Sequence, residues 1–191
     1  GMSTRKVARA LGVFLGTTLS AQTVSRIAGQ LDAAVAAFHR RGLSDQYRYL
    51  LLDGVVLKHR GALAVRRRVL LCAYGITPEG VREFIDFQLA ISESAAAWEG
   101  FLRDLYARGL TERAVELIVT DGGLGLHAAL EVVYPRIARQ RCWAHKVRNV
   151  LDKVKKVAWP ALKQALSTIS HASNHRRAVE AFWRFSQRYR R

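Results

Sequence analysis

Asp53 and Asp121 are the residues whose setting best suits chemistry: each stands on or just after a short apolar run, in YLLLDGVVLK and VELIVTDGG, 68 residues apart. A carboxylate flanked by Leu51, Leu52, Val55 and Val56 is costly to bury unless its charge is compensated. A divalent cation would compensate it, because Mg²⁺ takes oxygen ligands, keeps several waters and needs only a few carboxylates plus substrate phosphate. Two such acids meeting in the middle of one sheet could bridge metal ions. One ion would activate an attacking water or hydroxyl and the other would stabilise the leaving oxygen, which is phosphodiester chemistry. The other reading of Asp53 is that strand alternation turns it to the solvent face of an edge strand.

The elements that must position these acids follow from the hydrophobic pattern. Residues 47–58 read as a strand rich in β-branched and aromatic side chains, residues 66–75 as a second, and residues 76–87 as a third or a turn into one. Residues 92–108 read as a helix capped by Ser92. Glu93 suits its positive N-terminal end, Trp98, Phe101, Leu102 and Leu105 form its apolar face, and Gly109 ends it. Residues 115–120 form a short buried strand that delivers Asp121 into a βα turn, the place where α/β sheets hold ligands. A helix over 124–133, ended by Pro135, follows. Gly122 and Gly123 admit a phosphate or metal close to the backbone, or are ordinary turn glycines.

Upstream, residues 4–15 suit a short helix, residues 16–19 break it, and Ser20 caps a second. In that second helix Val24, Ile27, Leu31, Val35 and Phe38 fall on one stripe. Helix, turn, helix is a DNA-binding plan, and Gln22, Thr23, Ser25 and Arg26 would occupy the exposed first turns that touch DNA. A helical hairpin with no DNA contact has the same pattern.

Charge narrows the class of partner. The chain of 191 residues carries +16, and residues 136–191 hold fifteen Lys and Arg against Asp152 and Glu180 alone. A polyanion such as double-stranded DNA is the natural partner, since each neutralised phosphate releases counterions whatever the base sequence. A merely soluble basic protein is the bland alternative. No apolar run approaches the roughly 20 residues needed to span a bilayer. Two cysteines, Cys72 and Cys142, give no disulfide framework, and a cytoplasmic location is expected. Gly1 ahead of Met2 reads as the residue of a cleaved tag.

Taken in order and spacing, YLLLDGVVLKHR, ITPEGVREF, the RGL at 108–110, VTDGGLGLHAAL and QRCWAHKVRN resemble the Mutator-type transposases of bacterial insertion sequences, over residues 23–156. The resemblance implies an α/β, RNase H-like mixed sheet flanked by helices. It also implies DDE-class cleavage and transfer of DNA strands at element ends with Mg²⁺ or Mn²⁺. Asp53 and Asp121 would be the first two metal-binding acids, and Cys142 and His145 match the CxxH signature that follows the second. Zinc at Cys142 and His145 would need four ligands, with Cys72 and His127 the conceivable others, so packing and hydrogen bonding is the preferred role. Lys146, Arg148, Lys153, Lys155 and Lys156 are expected on a helix whose basic side follows a DNA backbone, or simply on a solvated face.

The third acid of the class has no clear counterpart. Glu131 lies about 15 Å along a helix from Asp121, Asp152 sits among lysines, and Glu180 falls on an amphipathic segment that resembles the start of a helical insertion. The expectation is therefore a shortened chain. It would have a helical DNA-binding segment over 1–41, an incomplete catalytic core over 42–158 and a basic helical tail over 159–191. It would bind DNA, with impaired strand transfer or none, the latter being a regulatory remnant. Multimers are expected because two DNA ends must be joined. Trp159, Phe182 and Trp183 would form an apolar patch if exposed.

Overall fold

The computed structural model describes residues 20–60 and 65–190. It divides into two compact units between Arg139 and Gln140. The short helix expected over 4–15 lies outside the described residues, and so does the helix-turn-helix pairing that depends on it.

In the first unit, helix α1 (Ala21–Arg40) starts where the capping rule places it: Ser20 Oγ accepts the Thr23 N–H at 2.9 Å. None of its residues is buried, and Ile27, Leu31 and Val35 of the expected stripe are exposed. Only its C-terminal end docks closely, with Phe38 stacked on Phe84 at 6.1 Å between centroids.

The strands are β1 (Tyr49–Arg60), β2 (Val65–Ile76), β3 (Arg82–Ala90), β4 (Leu117–Thr120) and β5 (Ala138–Arg141), and they lie in the order β3-β2-β1-β4-β5. β1 pairs antiparallel with β2 along its whole length and parallel with β4, and β2 pairs antiparallel with β3 through an irregularity at Ala73/Tyr74. This is the mixed sheet expected of an RNase H-like core. β1 is an interior strand as far as Leu52, where its pairing with β4 ends.

Helices α2 (Ala95–Ala107) and α3 (Leu124–Val133) cover the core. Trp98, Phe101, Leu102 and Leu105 of α2 and Leu126, Ala129, Leu130 and Val133 of α3 pack with Leu50, Leu52, Leu71, Ala73, Ile85 and Ile118 of the sheet, all buried. Fully burying a side chain of this kind contributes about 1.5–3 kcal/mol. Helix α2 is capped by Ser94, which accepts the Ala97 N–H, and not by Ser92 as expected. Either serine meets the local rule. The choice is settled by packing, because the first turn of α3 presses on the backbone of residues 93–95 at Gly125.

Gly109 ends α2 with φ +117°. Leu110 N–H returns to the Leu105 carbonyl at 3.0 Å and Gly109 N–H to that of Tyr106 at 3.1 Å, a Schellman closure. A Cβ here would stand 2.3 Å from the Leu43 carbonyl oxygen, a backbone atom. Gly109→Ala is expected to cost about 2–3 kcal/mol, from left-handed strain plus overlap. Urea titration reads it, and a loss below about 1 kcal/mol would mean the Leu43 segment shifts freely.

The second unit contains α4 (Trp143–Leu151), a 3₁₀ turn (Lys156–Ala158), α5 (Trp159–Ser170) and α6 (His175–Arg188). Leu151, Leu162, Leu166 and Ala181 are its buried apolar contacts. Helix α4 is shorter than expected. Asp152 caps it, Lys153 and Val154 N–H groups make tightened bonds to Val150 and Leu151, and Trp159 Nε1–H takes the Leu151 carbonyl at 3.0 Å. Lys153 and Lys155 therefore lie beyond the helix and Lys156 starts the 3₁₀ turn, so the five cations do not share one helix. Trp159 is half-buried by the same bond, which removes it from the apolar patch, while Phe182 and Trp183 are exposed as expected.

Candidate active site and basic groove

The strand register brings the two acids together. On the parallel strands β1 and β4 the last pair is Leu52 with Thr120. Asp53 follows on β1, and Asp121 is the first residue after β4. Both are half-buried. Asp121 Oδ1 accepts the Gly123 N–H at 2.8 Å, so the turn after β4 holds that carboxylate in place. Across β1, Asp53 is opposite the buried Cys72, whose thiol is pushed up by burial and by the Asp53 charge.

A third carboxylate belongs to this neighbourhood. Glu93, in the segment that joins β3 to α2, lies against β1: a Cβ on Gly54 would stand 2.5 Å from Glu93 Cδ and Oε1 and 3.0 Å from Oε2. The Glu93 side chain therefore rests on the backbone of the residue that follows Asp53. Its own backbone is fixed from the other side, where a Cβ on Gly125 would fall 2.3 Å from the Glu93 carbonyl oxygen and 3.0 Å from Ala95 N. Burial, and then the charges of Asp121 and Asp53, push the Glu93 carboxyl up. From sequence alone Glu93 reads only as an acid at a helix end. The signal that pointed further was Gly54, a glycine inside an apolar strand, which marks a place where another group comes close.

The donors present are all carboxylate oxygens, the kind that hard divalent cations take. As placed, no three His, Cys, Asp or Glu side chains among the described residues stand close enough together to hold an ion. That covers a zinc site built on Cys142 and His145 as well. Cys142 occupies the N-cap position of α4 without a side-chain capping bond, and His145 lies in the first turn.

The other acids weighed for the third position are engaged elsewhere. Glu131 faces His127 and Arg139 at 3.3 and 3.7 Å, Asp152 is the C-cap of α4, and Glu180 pairs with Arg176 at 3.1 Å. Of the residues considered for DNA contact, Gln22, Ser25 and Arg26 are exposed in the first turns of α1, and Thr23 Oγ1 lies 2.9 Å from Ser20 Oγ.

The second unit forms a groove of about 1100 Å³ with Val150, Val157, Leu162 and Phe185 in its lining. Arg141, Lys146, Lys153, Lys155, Arg188 and Arg190 line the same groove. Arg148 and Lys156 are on the same unit, outside that lining. The shorter α4 thus distributes its neighbouring lysines around a concavity instead of along a straight face.

No helix among the described residues is long and apolar enough to cross a membrane. Residues 1–191 match the family described as Transposase, Mutator family. The transposase for insertion sequence element ISRM5 of Rhizobium meliloti is 41% identical over 152 residues, covering 80% of this chain and 38% of that protein. The transposase for IS905 of Lactococcus lactis is 34% identical over 185 residues, covering 97% of this chain and 46% of that protein. The chain thus spans less than half the length of these two relatives. The HTLV-2 integrase catalytic core domain in complex with magnesium aligns at 14% identity over 70% of this chain and 90% of that one, with a TM-score of 0.31.

Proposed function

The chain belongs to the Mutator family of transposases, and from that premise we propose that it supplies the first two metal-binding acids, Asp53 and Asp121, of a DDE strand-transfer site acting on double-stranded DNA. The observation that carries this reading is the β1–β4 register, whose last pair, Leu52 with Thr120, immediately precedes the two acids, 68 residues apart in sequence. Bound there, Mg²⁺ or Mn²⁺ would supply an activated water or hydroxyl and stabilise the leaving oxygen. The protein's own part is positional. Gly123 N–H orients Asp121, the pairing of β1 with β2 fixes Asp53, and the core beneath them holds the strands in register.

The basic groove of the second unit, with Arg148 and Lys156 beside it, would hold the phosphate backbone, and the first turns of α1 would add Gln22, Thr23, Ser25 and Arg26. Cys142 and His145 would serve packing and hydrogen bonding at the start of α4. The segments 1–41, 42–158 and 159–191 would then divide DNA contact, catalysis and a basic helical extension. Self-association, expected because two ends must be joined, would use surfaces such as the exposed pair Phe182 and Trp183.

Mn²⁺ calorimetry on the wild-type chain, Asp53→Asn and Asp121→Asn tests this. Each substitution should weaken metal binding at least about tenfold, as losing one of few charged oxygen ligands does. DNA affinity should be unchanged or higher, and metal-dependent nicking of DNA, where the wild type has it, should be lost. If the wild-type chain binds no Mn²⁺ under conditions where it binds DNA, it is a DNA-binding remnant without chemistry.

A further inference from the structure

We infer that the far end of the β1–β2 hairpin is a contact for duplex DNA on the first unit, with Lys58, Arg67 and Arg68 engaging the phosphate backbone. This rests on DNA being the partner, as proposed above, and adds a site apart from the basic groove and the first turns of α1.

Strand lengths create the element. β1 and β2 have 12 residues each and pair to their ends, from Tyr49 with Ile76 to Arg60 with Val65. Their neighbours stop short. β4 pairs with β1 only as far as Leu52, and β3 pairs with β2 only from Val69 onward. From the Leu57–Arg68 pair outward the hairpin is therefore a two-stranded ribbon that runs on from the sheet. Val55, Val56, Leu57, Lys58 and Arg67 are exposed there, and a bare two-stranded ribbon is marginal in water.

Its charge is of one sign. Between Asp53 and Glu79 the sequence has five Lys and Arg (Lys58, Arg60, Arg66, Arg67 and Arg68) and no acid. Lys58 stands directly opposite Arg67, and like charges on facing residues destabilise an antiparallel pair. None of Lys58, Arg67 and Arg68 forms an ion pair with a described acid. The compensation has to come from outside the chain, and a polyanion supplies it.

Alternation places these cations on both faces. Lys58 and Arg67 share the face of Leu50 and Leu52, while Arg68, opposite Leu57, shares the face of Asp53. Leu57 is four residues beyond Asp53, about 13 Å along the strand. Cations on two faces suit an element with phosphates on two sides, as a ribbon lying in the roughly 12 Å wide major groove has. The competing role is to guard a free strand edge against pairing with another edge, which needs the charges but no DNA.

Fluorescence anisotropy of the full chain with a labelled duplex of mixed sequence, across a salt series, tests the assignment. The triple variant Lys58→Gln/Arg67→Gln/Arg68→Gln should lower the salt slope by about 2–3, so that the affinity lost between 50 and 200 mM salt shrinks roughly 40-fold. Its melting temperature should equal or exceed that of the wild type, because facing like charges are removed. Arg68→Gln alone should lower the slope by about 1, and Lys58→Arg/Arg67→Lys/Arg68→Lys should keep it. Removing three exposed cations elsewhere on the unit, Arg82→Gln/Arg113→Gln/Arg136→Gln, should change it by less than about 1.

An unchanged slope for the ribbon triple, beside a reduced one for Lys153→Ala/Lys155→Ala, overturns the inference and leaves the groove standing; lost solubility of the triple would then make these cations edge guards. An equal drop in the control triple also overturns it, since net charge alone would be at work. If the wild-type chain shows no salt-dependent affinity for duplex DNA, the DNA reading fails and the ribbon site with it.

Discussion

Asp86→Ala is expected to destabilise the first unit by about 3–5 kcal/mol, the cost of taking one partner from a buried ion pair. Asp86 sits on β3 with its side chain 2% exposed, and Arg108, at the end of α2, is 11% exposed. Asp86 pairs with Arg108 and accepts the Phe87 N–H at 2.7 Å, and His39 Nδ1 lies 2.6 Å from Oδ1. Arg108 also reaches Asp104 at 2.8 Å and donates to the Arg41 carbonyl at 3.4 Å, while the Arg41 guanidinium stacks 3.7 Å over the Phe38 ring. One carboxylate therefore joins three elements: the end of α1, the middle of β3 and the end of α2. Removing it leaves a guanidinium buried with only the exposed Asp104 to pair with.

Asp86→Asn keeps an acceptor for Phe87 N–H and should cost less, about 1–3 kcal/mol. Asp104→Ala, at an exposed partner, should cost under about 1 kcal/mol. Urea unfolding reads all three as midpoint shifts at constant m. Similar small losses for Asp86→Ala and Asp104→Ala would mean that α1 is not held through this junction.

The ionic junction also shows how the sequence could and could not be read. Strands β1 and β4, helices α2 and α3, the Ser20 cap and the Gly109 stop follow from short-range rules of alternation, capping and left-handed backbone, and all are present. Asp86 was not legible, because nothing around REFIDFQLA says that its acid will meet an arginine 22 residues on and a histidine 47 residues back. Such pairings are made by the sheet register and by where α1 ends. The choice of Ser94 over Ser92 was decided in the same way, by a tertiary contact at Gly125 that overrides two equivalent local signals.

The candidate site was half legible for a related reason. Asp53 and Asp121 announce themselves as charges on or just after apolar strands. Glu93 sits in polar sequence ahead of a helix, where an acid is ordinary, and it becomes notable only once Gly54 and Gly125 are seen to press on it. Likewise the run Lys153, Lys155 and Lys156 continues a helical pattern. The helix stops at Leu151 because the Trp159 indole takes a terminal carbonyl from eight residues downstream.

That interruption bears on the largest effect expected of this molecule, the dependence of its DNA affinity on salt. Six cations, Arg141, Lys146, Lys153, Lys155, Arg188 and Arg190, line one groove of the second unit. A duplex or single strand seated there releases roughly one counterion per phosphate neutralised, so six contacts imply an affinity loss of about 10³-fold between 50 and 200 mM salt. Replacing Lys153 and Lys155 with alanine should lower affinity for all sequences alike and reduce the salt slope by about 2, since neither cation has a base to read.

Lysines on a straight exposed helix could be removed singly with a similar effect on the slope. What distinguishes the groove is its apolar lining, so Phe185→Ala should weaken binding without altering the slope, because it removes contact area and no charge. Fluorescence anisotropy across a salt series separates these terms. A wild-type slope shallower than about 2 would place the DNA elsewhere on the chain, and a slope that falls with Phe185→Ala would mean that the groove itself has collapsed.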